Sequence, residues 1–149
     1  MNSRATINLF LENKTLAIAG VSRNHKKFGF LVYKTLSEKG YDLYPINPNT
    51  DDRGETNWYR TVSDIPEYVE NLLIVTNKRD TEKVMRDAIQ KGIKNIWIQQ
   101  QSETPGSLEI AAENKVNLVS KACMMMYANP SGIHKFHGNL FKFFGKYVG

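Results

Sequence analysis

The stretch Thr15-Leu16-Ala17-Ile18-Ala19-Gly20 decides the fold, because it is a short, continuous apolar run that ends in a glycine. Such a run is typical of a strand that is covered on both faces, as strands are in parallel sheets. The next residues, 21–27, are polar and basic, and apolar residues at helical spacing follow them: Phe28, Leu31, Val32 and Leu36. The order therefore predicts a strand, a turn and a helix, which together begin a parallel sheet.

This unit recurs along the chain. Further apolar runs predict strands at residues 41–45, 72–76, 93–98 and 116–119. Helical spacing predicts helices between most of these strands, including one at residues 107–115. Ser3 is the expected N-cap of a helix before the first strand, and Gly40 and Gly92 lie just beyond the ends of two other helices. Because strands that alternate with helices form right-handed parallel units, we predict an α/β fold. The expected architecture is a Rossmann-like doubly wound parallel sheet of about five strands in three α/β/α layers.

Length and composition point to one domain. The chain has 149 residues, of which 41% are hydrophobic and 23% are charged, so disorder is a poor interpretation. It has no apolar run of about 18 residues and no secretory signal, and we expect no membrane span. A single cysteine, Cys123, forms no internal disulfide and favours a reduced, cytoplasmic location. We expect one domain over residues 1–149, with a core at about 13–126 and a basic aromatic extension at 127–149.

The charge is unevenly distributed. The formal net charge is +5, and no acidic residue follows Glu113. The whole excess of positive charge therefore lies in the last quarter of the chain, in a region that also contains many aromatic residues. This asymmetry favours an anionic ligand or partner, which could be a phosphate-bearing cofactor, a nucleic acid or a membrane surface.

The turn after the first strand is the predicted ligand site, since doubly wound sheets bind ligands beyond the carboxyl ends of their strands. It reads Gly20-Val21-Ser22-Arg23-Asn24-His25-Lys26-Lys27-Phe28-Gly29. Its two glycines allow a sharp turn and a close helix start, while Ser22, the helix amides and Lys26 or Lys27 suit a phosphate. The spacing differs from the GxGxxG dinucleotide pattern, so a solvated basic loop is the alternative.

The turn after the second strand argues against NAD. Proteins that bind NAD usually place a carboxylate at the end of this strand for the ribose hydroxyls. Here the chain reads Ile46-Asn47-Pro48-Asn49, and the first carboxylate is Asp51. Arg53 leaves an NADP site open.

Several ordered segments resemble a known family. They are Gly20-Val21-Ser22, Lys27-Phe28-Gly29, Gly40-Tyr41, Pro45-Ile46-Asn47-Pro48, residues 61–66, residues 92–97 and residues 121–125. Together they look like the small stand-alone CoA-binding proteins, which are similar to the amino-terminal CoA-binding domain of succinyl-CoA synthetase alpha subunits. The resemblance covers roughly residues 13–126.

The resemblance implies that coenzyme A or an acyl-CoA is the cofactor. The first turn would hold the diphosphate, Asn47 and Pro48 would flank the adenosine, and the turn after the third strand would line the path of the pantetheine arm. The implied binding residues are Gly20, Ser22, Arg23, Lys27, Phe28, Gly29, Asn47, Pro48 and Thr76. This chain departs from the family at Thr76-Asn77-Lys78, at Gln99-Gln100-Gln101-Ser102 and at Cys123-Met124, where the family tends to have Val-Pro, a glycine and Cys-Pro.

We therefore predict a non-catalytic CoA-binding module, because 149 residues are too few to include the ligase parts of the synthetases that the chain resembles. One alternative is a small oxidoreductase that uses NADP or a CoA disulfide through Cys123, although a lone cysteine is more often a packed small hydrophobe. Another is an adaptor for an anionic partner through the tail, residues 133–148. That tail would otherwise pack on the domain's own flank or across a homodimer, and nucleic acid is not the expected partner. His134 and His137 alone do not make a metal site, so none is predicted.

Overall fold

Five parallel strands and five helices make up the described part of the chain. A computed structural model describes residues 2–49 and 58–128. The strands are β1 (Thr15–Ala19), β2 (Asp42–Ile46), β3 (Asn71–Ile74), β4 (Asn95–Gln99) and β5 (Asn117–Ala122). The helices are α1 (Arg4–Glu12), α2 (Phe28–Glu38), α3 (Lys78–Lys91), α4 (Pro105–Glu113) and α5 (Met124–Ala128), with a short 3-10 helix at Val62–Asp64.

The strands form one sheet in the order β2-β1-β3-β4-β5, and every pairing is parallel. This order confirms the predicted Rossmann-like α/β fold. The direction of the chain across the sheet reverses between β1 and β3, so the switch point lies where the loops after these two strands separate to opposite faces.

Each face of the sheet carries its own apolar layer. On one face, α1, α2 and α5 contribute Phe10, Val32 and Met124 to a cluster that contains the fully buried Trp97 of β4. On the other face, α3 and α4 contribute Met85 and a buried alanine to a second cluster. Helices cover both faces, and buried apolar residues accordingly point to both faces of the central strands β1, β3 and β4, which confirms the three-layer arrangement.

Local signals fixed several helix ends as expected. The hydroxyl of Ser3 accepts a hydrogen bond from the amide of Thr6 at 3.0 Å, and Gly92 ends α3 with a φ of 92°. The helix predicted at residues 107–115 instead begins at Pro105, because Thr104 and Ser107 form a reciprocal capping box. That box uses a serine where glutamate or glutamine is more usual, which hid it in the sequence.

A ladder of asparagine side chains crosses the sheet at the amino ends of three strands. The Nδ2 group of Asn71 donates to the carbonyl of Phe10 at 3.1 Å, and Asn95 donates to Oδ1 of Asn71 at 3.1 Å. Asn117 in turn donates to Oδ1 of Asn95 at 2.9 Å. The three asparagines occupy matching positions in the strand register, so the ladder opposes any slip of β3, β4 and β5.

Alanine substitutions along this ladder should cost stability in proportion to burial. Asn71 is 1% exposed, and its loss leaves the carbonyl of Phe10 without its donor. We expect Asn71→Ala to lower the free energy of unfolding by about 2 kcal/mol. Asn117 is exposed, so water replaces its hydrogen bond, and Asn117→Ala should change stability by less than about 0.5 kcal/mol. Urea unfolding of the two variants measures this, and equal losses would contradict the ladder's role.

Candidate functional site

A cleft of about 810 Å³ opens at the carboxyl ends of the first four strands. Its walls are the turn after β1, the residues after β2, the start of α3 and the turn after β4. The cleft therefore lies at the switch point of the sheet, where ligands of doubly wound folds bind.

Most of the residues expected to bind a cofactor lie on the walls of this cleft. Eight of the nine line it: Gly20, Ser22, Lys27, Phe28, Gly29, Asn47, Pro48 and Thr76. Arg23 is exposed and lies outside the lining residues. The cleft thus brings together residues that are far apart in the sequence, while their contact with a ligand stays a prediction.

Two glycines allow β1 and α2 to approach closely. A Cβ atom on Gly29 would overlap the carbonyl oxygen of Gly20, which is backbone and has no freedom to move aside. Gly20 has a φ of 101°, and a Cβ there would lie 2.8 Å from the amide nitrogen of Thr76. Both positions therefore require glycine, and the contact brings the start of α2 against the end of β1.

The loop between these glycines is held by its own hydrogen bonds. The hydroxyl oxygen of Ser22 accepts from the amide of Asn24 at 3.0 Å, and the side chain of Asn24 accepts from the amide of Lys26 at 3.0 Å. The amide of Lys27 donates to the carbonyl of Asn24 at 3.0 Å. The Ser22 oxygen is already an acceptor, so its O–H remains the group that can donate to an anion.

Asn47 has a structural role that the sequence did not predict. Its side-chain Nδ2 donates to the carbonyl of Val21 at 2.8 Å, and its Oδ1 accepts from the amide of Asn49 at 2.8 Å. Its backbone amide donates to the carbonyl of Tyr59 at 2.8 Å. Asn47 therefore ties the loop after β2 to the turn after β1 and keeps that wall of the cleft in place.

The two helices that begin at the cleft have amino termini without side-chain caps. The N-cap residues of α2 and α3 are Lys27 and Asn77, and neither side chain accepts a hydrogen bond from the first turn. By contrast, Ser3 and Thr104 cap α1 and α4 through their side chains. Because Lys27 and Asn77 line the cleft, the positive ends of the α2 and α3 dipoles lie there, and they favour an anion.

Positive charge dominates the cleft walls. Among the described residues, five cationic side chains line it, together with two acidic ones, Asp80 and Asp87. Lys83 forms an ion pair with Asp87 at 2.8 Å, and Arg79 approaches Asp80 at 3.7 Å. The cations are Lys27, Arg60, Lys78, Arg79 and Lys83, and sequence reasoning identified only the first of them.

A hydroxyl network joins the turns after β3 and β4. The hydroxyls of Thr76 and Thr81 are 2.8 Å apart, and Thr81 donates to the carbonyl of Ser102 at 2.8 Å. Since Thr81 is fully buried and its proton goes to Ser102, Thr76 is the donor between the two hydroxyls. Thr76 therefore fixes the relative positions of two cleft walls.

The alternative functions depend on Cys123 and on the tail. The thiol of Cys123 is packed in the core at 3% exposure, with Met124 and Met125, and it does not line the cleft. The tail at residues 133–148, with His134 and His137, lies outside the described residues. Within residues 2–49 and 58–128, no cluster of His, Cys, Asp and Glu could hold a metal, and no helix is long and apolar enough to cross a membrane.

Fold and cleft together define a class of protein, a doubly wound α/β domain with a cationic cleft at its switch point. Comparison with known families is more specific. The family described as CoA binding domain matches residues 14–129, and the chain belongs to this family. This confirms the resemblance drawn from the sequence motifs.

Relatives with assigned names are much longer than this chain. The acetate–CoA ligase (ADP-forming) of Methanocaldococcus jannaschii is 30% identical over 138 residues, which cover 89% of this chain and 19% of that protein. An acetate–CoA ligase (ADP-forming) II of Archaeoglobus fulgidus is 36% identical over 87 residues, which cover 57% of this chain and 13% of that protein. The chain thus corresponds to only a small part of these ligases.

A solved structure of similar size has the same fold. A hypothetical protein from Pyrococcus horikoshii OT3 superposes with a TM-score of 0.75 at 29% identity, covering 86% of this chain and 90% of that one. The shared fold therefore extends over nearly the whole length of both chains.

Substituting Gly29 tests the contact between β1 and α2. Helix propensity alone predicts that Gly29→Ala raises stability by up to about 1 kcal/mol. The overlap with the Gly20 carbonyl instead predicts a loss of about 1–3 kcal/mol. Gly106→Ala is the matched control, because Gly106 is also the second residue of its helix and a Cβ there meets the carboxylate of Glu82, a side-chain end that can move aside at the loss of one hydrogen bond from Thr104. Thermal unfolding measures both, and a stabilised Gly29→Ala would refute the contact.

Proposed function

We propose that this protein binds coenzyme A or an acyl-CoA non-catalytically in the cleft, with the diphosphate on the first turn of α2. The observation that carries the proposal is the start of α2, which has no side-chain cap. The contact between Gly20 and Gly29 holds this helix start at the carboxyl end of β1. Backbone amides at such a helix start donate to phosphate oxygens, and the helix dipole favours the negative charge. Lys27 lies at the same point and adds a charge-assisted contact.

The charges of the cleft support a ligand with several phosphates. Cationic side chains stand on the walls formed by α2, by the segment after β2 and by α3, so the positive potential extends along the cleft. Both acidic residues belong to α3 and face cationic neighbours of that helix. A polyanion such as CoA therefore meets a net positive surface along its length.

The end of β2 favours CoA over NAD. No carboxylate among the described residues lines the cleft beside β2, and Asn47 uses its side chain to hold backbone groups. The described residues of this wall give the ribose hydroxyls of NAD no acidic partner. They likewise place no negative charge against a ribose that carries a phosphate, as in CoA.

The strand order suggests how the ligand lies. From the diphosphate at the end of β1, one direction leads to β2 and the loop at Asn47 and Pro48, and the other leads to β3 and β4. CoA is linear, with adenosine on one side of its diphosphate and pantetheine on the other. With the adenosine beside β2, the pantetheine arm runs across β3 toward β4.

The chemistry of the lining favours binding over catalysis. Among the described residues, no histidine or cysteine lines the cleft, and its two carboxylates face cationic neighbours. Among the described residues, the Ser22 hydroxyl oxygen accepts from the amide of Asn24 and has no histidine or carboxylate partner that would activate it as a nucleophile. We therefore assign the described residues to holding CoA.

Calorimetric titration with CoA tests this function. We expect wild-type protein to bind CoA more tightly than NAD or NADP, and Lys27→Met to weaken CoA binding about ten- to a hundredfold, since it removes a charge-assisted contact. Lys26→Met is the matched control, because Lys26 is adjacent and exposed but outside the cleft lining, and its affinity should change less than twofold. Equal effects of the two substitutions would move the phosphates away from this turn.

A further inference from the structure

The turn after β4 contains a residue in an unfavourable backbone conformation. The amide of Ser102 donates to the carbonyl of Gln99 at 2.9 Å, which closes a four-residue turn. Gln101 is the third residue of this turn and has a φ of 74°. Turns that need a positive φ at this position usually place glycine there, because a side chain is disfavoured in the left-handed region.

Gln101 also differs from the other strained residues in its location. Lys115 and Lys121 are the other non-glycine residues with positive φ among those described, each at 55°. Lys115 follows the end of α4, where left-handed residues commonly end helices, and Lys121 lies at an irregularity of β5. Of the three, Gln101 alone lines the cleft.

The side chain of Gln101 is available to a ligand. It is exposed, and in the described part of the chain its carboxamide makes no hydrogen bond. At the two ends of the turn, the carbonyl of Ser102 accepts from Thr81, and Oε1 of Gln99 accepts from the amide of Met124 at 3.1 Å. Gln100 is exposed like Gln101 but has no positive φ. A glycine would form the same turn without strain, so the strained glutamine indicates a use for its side chain.

We propose that Gln101 determines specificity by hydrogen-bonding the amide-bearing pantetheine arm of CoA, or the thioester carbonyl at the end of that arm in an acyl-CoA. This inference rests on the proposed function and adds a contact to it. In the sheet order, β4 lies two strands from β1, which is about 10 Å at ordinary strand spacing. An extended pantetheine arm that starts from a diphosphate on the β1 turn is long enough to reach this turn.

The chemistry of the carboxamide fits that arm. Glutamine offers both a donor and an acceptor, so it can pair with an amide group in either orientation or donate to a thioester carbonyl. A cationic side chain at this position would instead favour phosphate. Different walls of the cleft therefore contact different parts of the ligand. The cations and the helix start face its phosphates, and the neutral carboxamide faces its arm.

Two substitutions separate the side chain from the turn. Gln101→Gly removes both the strain and the carboxamide, whereas Gln101→Asn shortens the carboxamide and keeps a residue that tolerates positive φ. Lys115→Gly is the matched control, because it relieves similar strain far from the cleft lining. Affinity is measured by calorimetry for CoA and for adenosine 3′,5′-bisphosphate, which lacks the arm, and stability by thermal unfolding.

We expect both Gln101 variants to lose about tenfold in affinity for CoA and to bind adenosine 3′,5′-bisphosphate as wild type does, with no fall in melting temperature. Lys115→Gly should leave both affinities unchanged. Unchanged CoA affinity in either Gln101 variant, or an equal loss for both ligands, would overturn the inference while CoA binding by the wild type stands. Wild-type protein that binds neither ligand would overturn the proposed function and this inference with it.

Discussion

The close contact between Gly29 and the carbonyl of Gly20 is the constraint on which the site depends. It leaves no room for a Cβ atom, so the first turn of α2 is held against the end of β1. Lys27 provides no side-chain cap, and the positive end of the α2 dipole lies at the cleft, where it favours an anion. The contact lies beside the switch point, which the strand order places between β1 and β3.

The rest of the cleft is built from interactions between loops. Asn47 joins the loops after β2 and β1 through its side chain, and Thr76 and Thr81 join the turns after β3 and β4. These hydrogen bonds satisfy polar groups that would otherwise be left unpaired at the edge of the core. They leave cationic side chains and the carboxamide of Gln101 on the walls of the cleft.

The sequence contained most of the fold but only part of the site. Apolar runs and glycines act locally, so β1, the turn from Gly20 to Gly29 and the end of α3 at Gly92 were predictable from neighbouring residues. The asparagine ladder, the contribution of Lys78 to the cleft and the position of Arg23 outside it depend on which strands are neighbours. Strand order is a property of the tertiary fold, and the periodicity of a single segment does not encode it. The sequence shows that residues 99–102 differ from the family pattern, but the positive φ of Gln101 is visible only in the structure.

The most direct test of the account is a titration of isotopically labelled protein with CoA, followed by amide chemical shifts in solution. If the diphosphate binds at the start of α2, the amide resonances of Gly20, Phe28 and Gly29 shift most. The amide resonances at the start of α3 and in the turn at Gln101 shift less. The amide resonances of α1 and of the asparagine ladder, at the opposite end of the sheet, do not shift. Shifts confined to other surfaces, or no shift at millimolar CoA, would contradict the account.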